Sequence, residues 1–383
     1  MKYWVLSIVF CLFSIVLIAQ KDYKGAVYDA KTSIPLPYVN IGIQNKGIGT
    51  VSDESGLFHL EINTADFSPV DTLVISSIGY KTIKRAVLDL EFVYNDYPKI
   101  LMQPKLIALE EVVVTNPNAN KEVYEVDEIV GYQNFGEKVY GYWKDNIALG
   151  GELATRIKVR KGLRKLNYLS FEVRSNPSDS VLIRVNIYDN GAIDKSPVIN
   201  LNTSNKNILY TIGSRAQIVE IDLRPFDIYV RDDFIVSLEL LKVYGDKAIG
   251  LVMSAKQNQY TDSYRKYASQ DKWEKIEDAA MAYFLNTTLY SNKKKGNSKV
   301  AKGIKTNKKD RAVSGFVFYA GRPLAATKVT NYSTNNTAYT NEKGRYSIIA
   351  QKGDILRLES ERMKVMFIKV LDKTTININM ETK

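Results

Sequence analysis

Along most of the chain, apolar and polar residues alternate at every second position in short runs closed by Gly, Pro, Asn or Asp, the pattern of half-buried strands. In the N-terminal part this predicts strands at 25–28, 38–43, 49–51, 57–62, 72–76, 81–88 and 100–102, with Pro35, Pro37, Gly47, Gly56 and Gly79 between them. Farther on it predicts strands at 153–159, 166–173, 181–188, 217–223, 234–241, 248–253 and 281–290. Within 181–188, Val181, Ile183, Val185 and Ile187 fall on one face, and Leu182, Arg184, Asn186 and Tyr188 on the other. Alternating strands with long polar connections predict a jelly-roll-like, two-sheet sandwich for this middle part.

One local pattern occurs twice. Thr50 to Phe58 (TVSDESGLF) returns as Ala338 to Tyr346 (AYTNEKGRY). Asp53 or Asn341 can close a side-chain turn, and Gly56 or Gly344 can take positive φ before the next strand. Pro35-Leu36 and Pro323-Leu324 stand equally far upstream of the two glycines, Gly25-Ala26-Val27-Tyr28 matches Gly315-Phe316-Val317-Phe318, and Asp71 to Ile75 answers Asp354 to Leu358. Ile78-Gly79-Tyr80 predicts a further turn. One small β module therefore brackets the chain.

The series GAVYDAKTSIPLPYVNI, TVSDESGLFHL and DTLVISSIGYK resembles the carboxypeptidase-regulatory-like domain common in envelope proteins of the Bacteroidota. That resemblance implies a transthyretin-like β-sandwich without catalytic residues of its own. It covers 21–105 and, in divergent form, 312–383, where SSIGYK gives way to Glu359 to Lys364 (ESERMK). The expected fold is all-β: a transthyretin-like sandwich, a larger jelly-roll-like sandwich, then a second small transthyretin-like sandwich. Leu109 to Thr115 (LEEVVVT) resembles the segment that follows this domain in outer-membrane receptors driven by TonB, where a short box adds as a strand to a partner's sheet. The chain after it is too short for the membrane barrel of such receptors, so a last strand plus tether is the simpler expectation.

Composition adds compartment and charge. Lys2, an apolar run from Tyr3 to Ile18, and Ala19 before Gln20 read as an export signal over 1–19, with an uncleaved anchor as the alternative. Cys11, the sole cysteine, lies in that run, so a cleaved chain has neither thiol nor disulfide. Net charge is +11, but the lysine-rich stretch within 291–311 carries most of it, and such a run reads as a solvated linker. Export leaves no expectation of a nucleic-acid partner; an envelope protein or a glycan fits better, with only peripheral membrane association.

His59 is the only histidine, which excludes a multi-histidine zinc site; it is expected as a half-buried strand side chain. Walker, dinucleotide and Gly-x-Ser-x-Gly motifs are absent from the sequence, and Gly150-Gly151 reads as a turn opening a strand. No cofactor, metal or catalytic residue is expected. The stretch most suited to recognition is a loop over 260–273, where Tyr264, Arg265, Tyr267 and Trp273 offer rings for stacking and a guanidinium for hydroxyls. The expected organisation is a signal over 1–19, a regulatory-like sandwich over 21–105, a connector over 106–128, a middle domain over 129–290, a linker over 291–311 and a second small sandwich over 312–383. The expected function is an exported, periplasmic or surface-associated, non-catalytic envelope protein acting in binding, adhesion or scaffolding, with carbohydrate or peptide as ligand. The alternatives are a structural or assembly component, a TonB-linked uptake accessory, and a carboxylate-based hydrolase.

Overall fold

A computed structural model describes residues 20–63, 67–68, 70–89, 98–105, 123–134, 138–143, 148–191, 196–247, 249–257, 262–291, 312–371 and 374–382. The export signal with Cys11, the 109–115 segment and the lysines of 292–311 lie outside the described residues. Among those described, the structure is all-β apart from two short 3-10 turns, Val87–Asp89 and Arg224–Phe226.

The N-terminal unit comprises β1 (Gln20–Asp29), β2 (Asn40–Ile43), β3 (Ile48–Val51), β4 (Leu57–Asn63), β5 (Thr72–Ser76), β6 (Ile83–Ala86) and β7 (Lys99–Met102). Its sheets run β4-β1-β7 and β3-β2-β5-β6, with β1 antiparallel to β4 and parallel to β7. Alternation sends Val27, Ile41, Ile43, Ile62, Ile75 and Met102 into the space between the sheets, where all are fully buried. Burying each such side chain contributes about 1.5–3 kcal/mol.

The middle unit comprises β8 (Tyr124–Gly131), β9 (Tyr140–Tyr142), β10 (Glu152–Ile157), β11 (Arg164–Ser175), β12 (Ser180–Asp189), β13 (Ile208–Gly213), β14 (Gln217–Asp222), β15 (Tyr229–Val230), β16 (Phe234–Tyr244), β17 (Val252–Gln257), β18 (Ser263–Lys266), β19 (Glu274–Ile276), β20 (Ala279–Met281) and β21 (Phe284–Ser291). One sheet runs β13-β12-β16-β10-β18-β19; the other runs β20-β17-β11-β21-β8, with β14 and β15 also paired to β11. Successive strands cross repeatedly between the sheets, as in a jelly roll. The predicted alternation of β12 holds, with Val181, Ile183, Val185 and Ile187 in the core. Two expectations are corrected. The first strand of this unit starts at Tyr124, inside the stretch expected as connector, because β8 pairs along its whole length with β21. The expected loop over 260–273 contains β18, held between β10 and β19.

The C-terminal unit comprises β22 (Ala312–Tyr319), β23 (Arg322–Pro323), β24 (Lys328–Asn331), β25 (Thr337–Tyr339), β26 (Arg345–Ile349), β27 (Ile355–Glu359), β28 (Met366–Lys369) and β29 (Ile378–Asn379). It repeats the N-terminal strand order: β22 is antiparallel to β26 and parallel to β29, facing a sheet β25-β24-β27-β28. The repeated turn also matches bond for bond. Asp53 Oδ1 accepts from the Ser55 and Leu57 amides at 2.8 and 2.9 Å, and Asn341 Oδ1 from the Lys343 and Arg345 amides at 3.0 Å each. Gly56 and Gly344 sit at φ +75° and +70°, a region that disfavours side chains with a Cβ.

Both terminal sandwiches dock through the outer face of the corresponding sheet. The β3-β2-β5-β6 sheet lies on the middle sheet containing β12 and β16, with Val51 packed against Leu182 and Leu241. The β25-β24-β27-β28 sheet lies on the opposite middle sheet, with Tyr332 and Ile355 packed against Phe284. The first contact requires close backbone approach: a Cβ on Gly42 or Gly49 would come within 2.2 or 2.3 Å of the Ser269 carbonyl oxygen.

Candidate binding site

The four residues proposed for recognition divide between two faces of β18. Tyr264 stands opposite Ala154 and Arg265 opposite Leu153, so consecutive side chains leave the sheet on opposite sides. Tyr264 is buried on the outer face in a cluster with Ala154 and Ile235, joined by Tyr188 and Trp273. Trp273 meets Tyr188 and Tyr264 edge-on, with ring centroids 5.9 and 6.5 Å away. Arg265 and Tyr267 lie on the inner side, the guanidinium 4.9 Å from the Tyr267 ring centroid, and Tyr267 packs against the main core. The half-buried Trp273 thus belongs with Tyr188 and Tyr264, and Arg265 with Tyr267.

Beneath Trp273 the same outer face carries a row of charges across four neighbouring strands. Lys266 of β18 stands opposite Glu152 of β10, Glu152 opposite Glu239 of β16, and Glu239 opposite Arg184 of β12. Lys266 Nζ lies 4.5 Å from the Trp273 ring centroid and 2.5 Å from Glu152 Oε1. Arg184 donates to both oxygens of Glu239 at 2.7 and 2.8 Å. Asn186 Nδ2 joins the acids, donating to Glu239 at 2.7 Å and Glu152 at 3.3 Å, and the Tyr188 hydroxyl donates to Glu152 at 3.1 Å. Both glutamates are 0% exposed. Burial raises the Glu239 pKa, but Arg184, then Lys266 and Asn186, outweigh it and hold the carboxyl below its usual 4.5.

Arg184 extends this row into the N-terminal sandwich. Nη1 donates to the Tyr38 carbonyl at 2.8 Å and Asn207 at 3.1 Å, and Nη2 to Asn40 at 2.7 Å, so with Glu239 all five guanidinium N–H groups are used. A counterpart joins the other side. Arg357 of β27 makes a two-pronged contact with Glu220 of β14, both bonds at 2.9 Å, and the Tyr332 hydroxyl donates to the same carboxylate at 2.6 Å. Burial lowers the Arg357 pKa, but Glu220 and its neighbours raise it further, so the group stays charged.

The sequence offered one signal for this buried row: Glu152, Glu239 and Arg184 each stand among apolar neighbours in their strands. What it could not supply was the register that lines them up. Two carboxylates this close could in principle share acid and base roles, but here both are sealed from solvent and saturated with donors. Elsewhere, Asp22, His59 and Glu61 bring their ligand atoms within 4.8 Å of one another. The His59 side chain is 46% exposed, close to the expected half-burial, and its Nε2 lies 3.3 Å from Asp22 Oδ1, while Glu61 stands opposite Asp22 in the β1–β4 register.

A cleft of about 520 Å³ lies between β8, the Lys158 to Arg164 region and the 332–335 turn of the C-terminal sandwich. In this cleft Arg164, 1% exposed, donates to Glu128 Oε2 at 2.7 Å while its Nε has no partner.

No curated protein matches the chain. Among solved structures, it aligns with the major pilin subunit BcpA of Bacillus cereus at 8% identity, over 95% of this chain and 99% of that one, with a TM-score of 0.16. A backbone pilin of Streptococcus pyogenes aligns at 9% identity over 92% of this chain and 81% of that one, TM-score 0.13. An infectious bursal disease virus structure aligns at 12% identity over 72% and 68%, TM-score 0.19. At such scores these likenesses carry no argument. Among the described residues no helix is long and apolar enough to cross a membrane. The family comparison is specific to one part of the chain: residues 23–114 match the CarboxypepD_reg-like domain, the family whose motifs the N-terminal sandwich carries.

Proposed function

We propose that this chain is an exported, non-catalytic cell-envelope protein that works by binding, a three-sandwich scaffold presenting recognition surfaces to an envelope protein or a glycan. The observation that carries this reading is the fate of the central acids. Glu152 and Glu239, the pair best placed for carboxylate chemistry, are spent on Lys266, Arg184, Asn186 and Tyr188 and have no path to a substrate. The CarboxypepD_reg-like match supports a non-catalytic role for the N-terminal sandwich, and the Lys2-led apolar terminus supports export. Trp273, half-buried beside Tyr188, is the aromatic surface this reading assigns to stacking on a sugar or peptide.

The test is purified 20–383 applied to a glycan array and, immobilised, to an envelope extract. Saturable capture of one glycan class or one polypeptide, without turnover and weakened in Trp273→Ala, is expected. Hydrolysis of a glycoside or peptide that disappears in Glu152→Gln would contradict it.

A further inference from the structure

The geometry points to a second recognition site, the free edge of β8, which takes an extended acidic segment of another polypeptide as an added strand. This rests on the binding role proposed above and names a ligand class for a different surface of the scaffold. Among the described residues β8 ends its sheet, with β21 on one side and no strand on the other. Asp127, Glu128, Ile129, Val130 and Gly131 all line the cleft, although consecutive strand residues point to opposite faces. A cavity touched by all five runs along the strand's edge and not over either face. The faces are already used, since Ile129 packs against the Tyr332 cluster and Val130 against the main core.

The hydrogen-bond phase can be assigned. The Tyr132 amide donates to the Tyr283 carbonyl at 2.7 Å, next to the Gly131 and Phe284 pair. Antiparallel alternation then turns the backbone groups of Val126, Glu128 and Val130 toward β21, and those of Glu125, Asp127, Ile129 and Gly131 away from it, the last three into the cleft. Among the described residues no backbone partner outside the β8 and β21 pairing reaches these four. Such a row is a template for a guest strand.

Charge selects the guest. The cleft presents Lys158, Arg160 and Arg164 against the carboxylates of Asp127 and Glu128, three cations to two. Arg160 and Arg164 both contact Glu128, Arg160 is largely exposed, and Arg164 Nε has no partner. The face with Asp127 meets the hydroxyl and amide groups of 333–335. A guest with carboxylates on alternate positions and hydroxyls between them satisfies both walls.

The experiment uses 20–383 and a fluorescein-labelled (Thr-Glu)4 octapeptide, with (Thr-Lys)4 as control, read by anisotropy. Saturable binding of (Thr-Glu)4, at least tenfold tighter than (Thr-Lys)4, is expected. Of two peptides N-methylated on either the Thr or the Glu nitrogens, one loses binding and the other keeps it, a signature that charge attraction alone does not give. Asp127→Pro, which removes an amide aimed at the cleft, abolishes binding at unchanged Tm, and Arg160→Glu reverses the charge preference. No binding of either peptide, or equal loss with both methylation patterns, overturns the site. Binding that emerges only when 109–115 is replaced by Gly and Ser shows that the chain's own segment fills the edge, and also overturns it. Failure here with glycan or polypeptide capture intact removes this site and leaves the scaffold reading standing.

Discussion

At the residue scale, the fold depends on a few polar side chains whose bonding is complete. Arg184 ties a buried acid to a neighbouring sandwich, and leaving Glu239 buried without it costs about 3–5 kcal/mol. Arg184→Met is therefore expected to lower unfolding free energy by that amount in urea titration, while adding Glu239→Leu restores most of it. Because the Glu239 pKa is depressed on folding, its contribution is present above the usual 4.5 and is lost as pH falls below it. Tyr80 gives the alkaline counterpart. Burial first, then its 2.8 Å bond to Asp29, pushes the phenol up to about 12. A raised folded pKa means stability fully present below 10 and lost as pH climbs toward 12. Tyr80→Phe is expected to flatten that limb in pH-dependent melting. Local chemistry was readable at this scale: Asp53 and Gly56 specify their turn through their own backbone, as do Asn341 and Gly344. The recognition residues were less so, because the run Tyr264 to Tyr267 lacks an apolar period that would reveal a strand and divide its faces.

At the element scale, strands with clean alternation such as β4 and β12 could be read directly, and charged ones could not. β8, Tyr-Glu-Val-Asp-Glu-Ile-Val-Gly, carries three carboxylates and read as part of a connector; its pairing with β21 is supplied by contacts distant in sequence. The glycines of β2 and β3 read as turn or strand residues. Their structural role is to let Ser269 approach, which depends on a domain contact and leaves no local signature. Gly42→Ala is expected to cost about 1–3 kcal/mol through overpacking at that contact. The N-terminal core should survive, so hydrogen exchange should rise in β2 and β3 and in the Ser269 loop while β1 and β4 stay protected.

At the scale of the whole molecule, six sheets stack through two docking interfaces, each made by the outer face of the same sheet in a repeated module. The repeated turn and its spacing from Pro35 and Pro323 were legible because the sequence itself carries them. The docking was not, because Asn40, Arg357 and Lys369 look like solvated strand positions until a neighbouring sheet supplies Arg184, Glu220 and Glu172. Burial of these contacts turns polar outer faces into interfaces, and the three sandwiches are expected to unfold as one unit.

Calorimetric unfolding of 20–383 tests that unity most directly. A single cooperative transition is expected for the unaltered chain, with Arg357→Met releasing the C-terminal sandwich as a separate, earlier transition. Three independent transitions in the unaltered chain, unmoved by Arg357→Met or Arg184→Met, would contradict it.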